Sequence, residues 1–423
     1  MKNCDLVIIG GGPAGLAAAT AAYDNGIRDM VILEREESLG GILNQCIHNG
    51  FGLHTFKEEL TGPEYAARYE AFVLERGIDY KLGATVINVT ADKVVTYVSE
   101  QDGLCKIAAK AIILTCGCRE RPRGGINIAG ARAAGIFSAG TAQKLVNIDG
   151  LKVGKNVVVL GSGDIGLIMA RRMTFEGAKV KAVVELMPYS SGLNRNIVQC
   201  LNDFNIPLKF SHTVVDIKAK KGRVSSVVIA KVDDRLQPIM STAEEIKCDT
   251  LLLSVGLLPE NELAGYAGVE ISPVTNGAVV DDNLMTSVEG IFECGNVLHV
   301  HDLVDYVSEE SKHAGKCAAK YIQTGVKSSN CVQTCGTNGV RYVVPQKIRK
   351  DESVEPLTLR MRVSNAYKNV EIAVLLDGEK IYSRKKPIVT PGEMETVVLK
   401  SELVSKVKQG NKLEVTLVVG GER

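Results

Sequence analysis

Short, fully apolar runs that end in glycine recur along this chain, each followed by a stretch of helical length. Asp5 to Ile9 (DLVII) runs into Gly10-Gly11-Gly12-Pro13-Ala14-Gly15, and a stretch from Leu16 to Asn25 follows. After Gly26, a second apolar run, Met30 to Leu33, ends in Glu34. Apolar runs of this length between turn signals read as strands buried on both faces of a parallel sheet. The pattern returns at Asn156 to Leu160 (NVVVL), with Gly161-Ser162-Gly163-Asp164-Ile165-Gly166, a helix from Leu167 to Glu176, Gly177, and a strand Lys179 to Val184 ending in Glu185. The first glycine and the acid are 24 residues apart in both copies.

Each copy then passes into alternating β-type segments, Thr85 to Val98 and Thr213 to Val232, with turns at Asp102-Gly103 and Lys221-Gly222. Each closes with an apolar strand running into glycine, Ala111 to Gly117 and Thr250 to Gly256. The expected fold class is α/β, with two Rossmann-like dinucleotide-binding domains. Past Asp302 an amphipathic helix is expected to reach Tyr321 to Thr324 and stop at Gly325. The remainder, 341–423, alternates with period two over Thr358–Val363, Val370–Leu376, Ile381–Arg384, Glu395–Leu399 and Leu413–Val419, with Asp377-Gly378 as a hairpin turn. A small all-β module is expected there.

Composition narrows the classes. The 423 residues carry 50 basic and 49 acidic side chains for a net charge of +1, which argues against a nucleic-acid or membrane-surface role for the whole chain. Apolar content of 45% excludes a disordered chain. The near-neutral total hides an asymmetry, because residues 341–423 hold 16 basic and 11 acidic residues, a net of +5. A docking surface for an acidic partner and an ordinary appended domain are both open readings of that tail. Eleven cysteines at irregular spacings, without a leader-type N-terminus, point to reduced thiols and a cytoplasmic location. No apolar run is long enough to span a bilayer.

The glycines carry the chemistry. In such a loop the first turns the strand, the second lets a pyrophosphate approach the backbone, and the third lets helix and strand pack closely. The phosphates then meet free N–H groups at a helix N-terminus. A carboxylate closing the second strand accepts bonds from ribose hydroxyls. Glu185 would repel a 2′-phosphate, and no Arg or Lys lies in Leu186–Leu193 to receive one, so NADH is favoured over NADPH.

Two such sites in one chain resemble the flavoproteins with two dinucleotide-binding domains, the pyridine nucleotide-disulfide oxidoreductase superfamily. The resemblance covers about residues 3–325 and implies FAD in the first copy and NAD in the second. It places FAD on Gly10, Gly12, Pro13, Ala14, Gly15, Glu34, Arg35, Gly41, Val86, Thr115, Gly117, Gly295 and Asn296. The nicotinamide nucleotide falls on Gly161, Gly163, Asp164, Ile165, Gly166, Glu185 and Gly256. The implied domains are 1–118 with 281–327 for FAD and 150–280 for NAD, joined by 119–149. Family members usually have Asp where Asn296 stands.

The longer motifs, Gly40 to His54 (GGILNQCIHNGFGLH), Leu60 to Ala66, Cys116 to Gly124 and Gly295 to Asp302, look closest to the FAD/NAD oxidoreductase subunits that accompany anaerobic glycerol-3-phosphate dehydrogenase and related amino-acid dehydrogenases. This implies an oxidoreductase subunit in an oligomer, exchanging hydride between NAD(H) and flavin, with the small-molecule substrate handled by a partner dehydrogenase subunit. The redox cysteines of the disulfide reductases fall on Leu43 and His48, so that chemistry is not expected. Cys46 could act singly, in a stand-alone NADH-dependent peroxide or coenzyme A disulfide reductase; a small buried hydrophobe is the plainer reading.

His299 and His301 are catalytic candidates at the flavin's pyrimidine edge, against capping and solvated loop, and Asp302 is expected to cap the helix. Arg119, Arg121 and Arg123 could hold a phosphate or form a solvated loop, and His48 and His54 could contact substrate. The six histidines show no metal-type spacing, so no metal site is expected. Cys331 and Cys335 could be an iron–sulfur remnant.

Overall fold

The computed structural model describes residues 1–325, 330–351 and 354–419. The expected domain end at 327 and the final residues of the module, 420–423, lie outside the described residues. The chain divides into two compact units, Met1–Cys118 with Pro259–Arg423, and Arg119–Leu258.

In the first unit the apolar runs become a parallel sheet in the order Asp79–Lys81, Met30–Leu33, Lys2–Ile9, Gly103–Leu114. Leu6 stands opposite Met30 on one side and Ala111 on the other. The expected meander is present as Thr85–Val89 and Val94–Ser99, antiparallel beyond Gly103–Leu114. Ile291–Glu293 pairs parallel with that same long strand, bringing a distant stretch of chain beside the first glycine loop. Two helices, Pro13–Asp24 and Val304–Thr324, cross on this sheet. Their contact is close because one helix is rich in alanine and the other has Gly315, where a Cβ would lie 2.2 Å from Ala18 O. Gly325, at φ 63°, ends the second helix as the sequence predicts.

The second unit repeats the scheme. Its parallel sheet runs Ile136–Ser138, Thr250–Leu253, Asn156–Leu160, Lys179–Val184, Leu208–Lys209, and a three-stranded antiparallel sheet is formed by His212–Lys220, Arg223–Lys231 and Glu244–Lys247. Two boundaries fall elsewhere than the sequence suggests. Residues 119–149 belong to this unit, since Ile136–Ser138 is an edge of its sheet and the helix Ala139–Asn147 packs on its core. Residues 259–280 belong to the first, because Ala264, Val269, Ala278 and Val280 are buried in its core.

Among the described residues, the C-terminal module is all-β apart from one short helix, Ser401–Val407, which the sequence pattern did not suggest. A five-stranded sheet (Lys347–Arg349, Cys331–Thr337, Lys412–Val419, Tyr367–Leu376, Glu379–Val389) and a three-stranded sheet (Val340–Val344, Leu357–Val363, Glu395–Leu399) enclose Val332, Leu359, Ile372, Val397 and Val415. The module starts before residue 341, since Cys331–Thr337 pairs parallel with the strand Lys412–Val419. On an extended strand Cys331 and Cys335 stand about 13 Å apart, at roughly 3.3 Å per residue, so they cannot share one small cluster.

Arginines of the module reach carboxylates of the flavin-type fold in the same unit. Arg349 Nε lies 3.3 Å from both Asp281 and Asp282. Arg360 pairs with Glu309 at 3.1 Å and approaches Glu310 at 3.5 Å. Arg362 binds Asp302 and donates to Val300 O at 3.0 Å. Part of the tail's excess charge is therefore spent inside the chain, as an appended domain would spend it. Asp302 is not the helix cap: the helix starts at Val304 with no side-chain cap, and Asp302 Oδ2 accepts instead from the Met394 N–H at 2.6 Å. Removing one partner of a buried pair leaves the other charge desolvated. Arg362→Ala is expected to lower unfolding stability by about 3 kcal/mol or more, and chemical denaturation that shows no loss would mean the pair is dispensable.

Candidate functional site

The first glycine loop is shaped for an anion. Gly10 sits at φ 111° and a Cβ there would meet Thr115 O at 2.6 Å, while a Cβ on Gly15 would lie 1.8 Å from Gly10 O. Only glycine permits this turn. The helix that follows has Gly12 as its N-cap, Pro13 at its start, no side-chain cap and no acidic residue in its first turn. Its first N–H groups and its positive dipole end remain available to phosphate. Gly41 closes over the same place, since its Cβ would come 2.9 Å from Gly12 Cα. Ala14 lies against Gly295, whose Cβ would be 2.9 Å from Ala14 Cβ.

The acid closes the loop from behind. Glu34 is buried; its Oε2 accepts the Gly11 N–H at 2.6 Å and its Oε1 the Glu36 N–H at 2.8 Å. Carboxylate oxygens have lone pairs to spare for ribose hydroxyls. Thr115 Oγ1 donates to Ile9 O at 2.8 Å, joining the two strand ends, and Gly117 turns the chain away at φ 71°. Ala84 N–H bonds Glu34 O at 2.8 Å, and Val86, two residues on, lies in the strand Thr85–Val89 and packs against the core. Arg35 does not join this group: its side chain is exposed and faces Glu36 at 3.8 Å.

The second loop reproduces the first. A Cβ on Gly161 would lie 2.0 Å from Ser254 O, and one on Gly166 2.7 Å from Ser254 Cβ. Gly163 is the N-cap of the helix Asp164–Phe175, again without a side-chain cap. Glu185 Oε2 accepts from Ser162 N at 2.8 Å and Ser162 Oγ at 2.6 Å, and Oε1 accepts from Met187 N at 2.9 Å. Asp164 turns aside to bond Leu193 N at 2.8 Å and Asn196 Nδ2 at 2.6 Å, so it organises the 190–196 loop. Ile165 packs on the core, and Gly256, at φ 103°, accepts the Arg121 N–H at 2.9 Å. Ser254, which bonds Gly166 N at 3.1 Å, was missed because a serine at a strand end carries no periodic signal. Free helix N-termini, glycines without room for a Cβ and bonded buried acids fit FAD in the first loop and a nicotinamide dinucleotide in the second.

Asn296, at the second flavin segment, accepts the His301 N–H at 2.9 Å through Oδ1. His299 and His301 lie just behind it but do not face an open cleft, since their side chains are 1% and 0% accessible and enclosed by protein. They therefore do not stand as groups that touch flavin or substrate. His299 Nε2 lies 2.8 Å from Glu310 Oε2, and Glu310 Oε1 accepts the Gly295 N–H at 2.9 Å. Burial pushes His299 down to about 4. Glu310 is held well below the carboxylate range: burial opposes this, but the His301 and His299 rings beside it prevail. Sequence spacing hid this cluster, because a loop and a helical turn separate His-x-His from the glutamate.

The Gly40–His54 segment forms a short helix, Gly41–Gln45, and a short strand, Asn49–Phe51, paired antiparallel with Leu60–Thr61, with loops between and after. Cys46 donates to Ile42 O at 3.3 Å, and burial pushes its thiol up to about 12, so it is a thiol rather than a thiolate. His48 packs on Phe51 at 5.1 Å and His54 stacks on Tyr306 at 5.4 Å. Asp305, buried in the first turn of the long helix, accepts from Gly52 N at 3.1 Å and Thr55 N at 2.7 Å and so fixes this loop. Arg123 is spent on the carbonyls of Ile128 and Gly130, at 2.8 and 2.9 Å, and Arg119 is exposed.

A family model, pyridine nucleotide-disulphide oxidoreductase, matches residues 4–325. The chain belongs to that family. It is similar to hydrogen cyanide synthase subunit HcnB of Pseudomonas protegens, 25% identical over 76% of this chain and 71% of that protein. Rubredoxin-NAD(+) reductase of Ectopseudomonas oleovorans is 26% identical over 69% and 71%. An opine oxidase subunit of Agrobacterium tumefaciens is 25% identical over 69% and 61%. In fold it resembles thioredoxin reductase of T. acidophilum, with a TM-score of 0.62 at 23% identity over 76% of this chain and 99% of that one. The chain is thus an FAD-dependent NAD(P)H oxidoreductase by family, with the expected fold and cofactors. No described helix is long and apolar enough to cross a membrane.

At the end of the strand Ile291–Glu293, within the 281–327 part of the FAD fold, Glu293 is wholly buried, with Oε1 accepting the Ala278 N–H at 2.8 Å. Burial pushes its carboxyl up to about 8. The folded state thus prefers the proton more than the unfolded chain does. Its stabilising share is complete below the ordinary carboxylate range and declines as pH rises toward about 8. Relative to Glu293→Gln, the wild type is expected to lose up to ~1.4 kcal/mol per pH unit across that window. Parallel denaturation curves for the two proteins from pH 5 to pH 8 would overturn this.

Proposed function

We propose that this chain is the nicotinamide-linked subunit of a multi-subunit dehydrogenase, exchanging hydride between NAD(H) and its own FAD while a partner subunit of the glycerol-3-phosphate or amino-acid dehydrogenase type handles the organic substrate. The observation that carries it is the pair of matched glycine loops, each closed by a buried carboxylate bonded to the loop's own backbone. A chain with two such loops can hold an electron donor and an acceptor together. The flavin would supply the hydride-accepting chemistry, which no amino-acid side chain offers. The side chains bind and orient: the loops hold the phosphates, Glu34 and Glu185 receive ribose hydroxyls, and the Asn296 amide stands where the flavin's ribityl hydroxyls are expected.

Two features favour a partner. Leu43 and His48 stand where a redox disulfide would be needed to pass electrons to thiols. HcnB and the opine oxidase relative are each named as one component of a larger enzyme. Soluble, cytoplasmic placement fits the reduced thiols, and the single-thiol alternative is disfavoured because desolvation keeps the half-buried Cys46 protonated. Purified protein is expected to release FAD on denaturation and to bleach on anaerobic mixing with NADH. A colourless protein that takes up no FAD would overturn the proposal. Cys46→Ser is expected to keep the same bleaching rate, whereas loss of NADH turnover in a folded, flavin-replete variant would favour the single-thiol reading.

Cofactor choice rests on Glu185. The carboxylate suits a ribose 2′-hydroxyl and repels a 2′-phosphate. NADH is expected to exceed NADPH in kcat/KM by about tenfold or more, a difference of ~1.4 kcal/mol, and Glu185→Ala to erase most of that ratio through KM. Equal use of both by the wild type would reject the assignment.

A further inference from the structure

We propose that His299, His301 and Glu310 form a site for one divalent transition-metal ion of the zinc class, which ties the Gly295 loop to the long helix beneath the C-terminal module. One ligand atom from each lies within 4.8 Å of the others, and all three side chains are buried. Glu310 Oε2 is 2.8 Å from His299 Nε2 and 3.4 Å from His301 Nε2. A tetrahedral ion with bonds of about 2.0–2.2 Å separates its donors by roughly 3.3–3.6 Å, so shifts on the order of 1 Å would seat one.

The second observation is independent of that spacing. His301 is fully enclosed, yet its Nδ1 has no hydrogen-bond partner and its Nε2 meets Glu310 Oε2 only at a long 3.4 Å, and His299 Nδ1 is likewise without a hydrogen bond. An orphaned buried polar atom costs about 1–3 kcal/mol, and native structures resolve such orphans with an ordered water or an ion. One ion would take His301 and draw His299 and Glu310 onto the same centre. Two imidazoles and one carboxylate suit zinc or ferrous iron rather than calcium or magnesium, which prefer all-oxygen shells.

The surroundings hold the ligands in place. Glu310 Oε1 is fixed by the Gly295 N–H, and His301 is set by its own N–H on Asn296 Oδ1. Tyr342 of the module packs edge-on against the His299 ring at 6.1 Å. Arg360 is the competing cation, 3.5 Å from Glu310 Oε2, but its shorter contact is with Glu309 at 3.1 Å. A bound ion would shift the guanidinium toward Glu309. With no solvent access to the donors, the ion's role is structural.

The test is metal analysis of the full-length, flavin-loaded protein purified without chelator from zinc-supplemented and, separately, iron-supplemented cultures. About one ion per chain is expected in one of the two, falling at least tenfold in His301→Ala, since loss of even an outer-shell support costs about 10–100-fold in affinity and His301 is a ligand itself. FAD content and circular dichroism report whether the variant is folded. If it is not, the wild type decides: chelation with dipicolinate should lower its thermal midpoint and added metal should restore it. Wild-type protein with background metal from both cultures overturns the proposal. So does a folded His301→Ala variant with undiminished metal, or an unfolded variant beside a wild type whose midpoint ignores chelator.

Discussion

Glu310 is the carboxylate on which three distant stretches of the chain agree. One oxygen takes the Gly295 N–H, and so fixes the loop that bears Asn296. The other faces His299, with Arg360 of the C-terminal module nearby. A charge buried this deeply is tolerable only when several partners are pre-positioned around it. The loop, the helix Val304–Thr324 and the module must therefore assemble together, which explains why the module clusters with the flavin-type fold rather than standing alone. A buried polar network specifies one arrangement more sharply than an apolar patch of the same size would.

The same principle operates at the two glycine loops. Glu34 and Glu185 are each enclosed by backbone N–H groups on either side, so each loop is braced by a carboxylate and not by a capping side chain at the helix start. That division of labour leaves the helix N-terminus open. A Ser or Asp cap would have stabilised the helix by about 1 kcal/mol but would compete for the same N–H groups as a phosphate. The loops forgo local stability to keep an anion site.

What was legible in the sequence followed from periodicity and from chemistry local in the chain. Apolar runs into glycine gave both sheets, and the acid 24 residues on gave the brace in each copy. The β strands of the module emerged from alternation alone, as at Leu357–Val363. Illegible were the features made by long-range pairing. Residues 259–280 look like a continuation of the second copy, yet Ala264 and Val280 pack in the first unit's core. Asp302 has the position of a helix cap, but Arg362, far along the chain, claims it. His299 and His301 read as flavin-edge residues because they precede a helix aimed at that edge, while tertiary packing encloses them.

Charge distribution ties these misreadings together. The tail's net of +5 suggested a surface for an acidic partner, but Arg349, Arg360 and Arg362 turn inward onto Asp281, Asp282, Glu309, Glu310 and Asp302. Composition counts a charge without saying whether it faces water. On the strand Glu379–Val389, Arg384 and Lys386 both reach Glu395, at 3.1 and 2.9 Å, and Lys380 reaches Glu371 at 3.1 Å. Those cations guard the edge of the five-stranded sheet, where unpaired backbone would otherwise invite another strand. A partner that docks on the module must therefore compete with ion pairs already made, so shape and apolar contact at the interface would matter more than net charge.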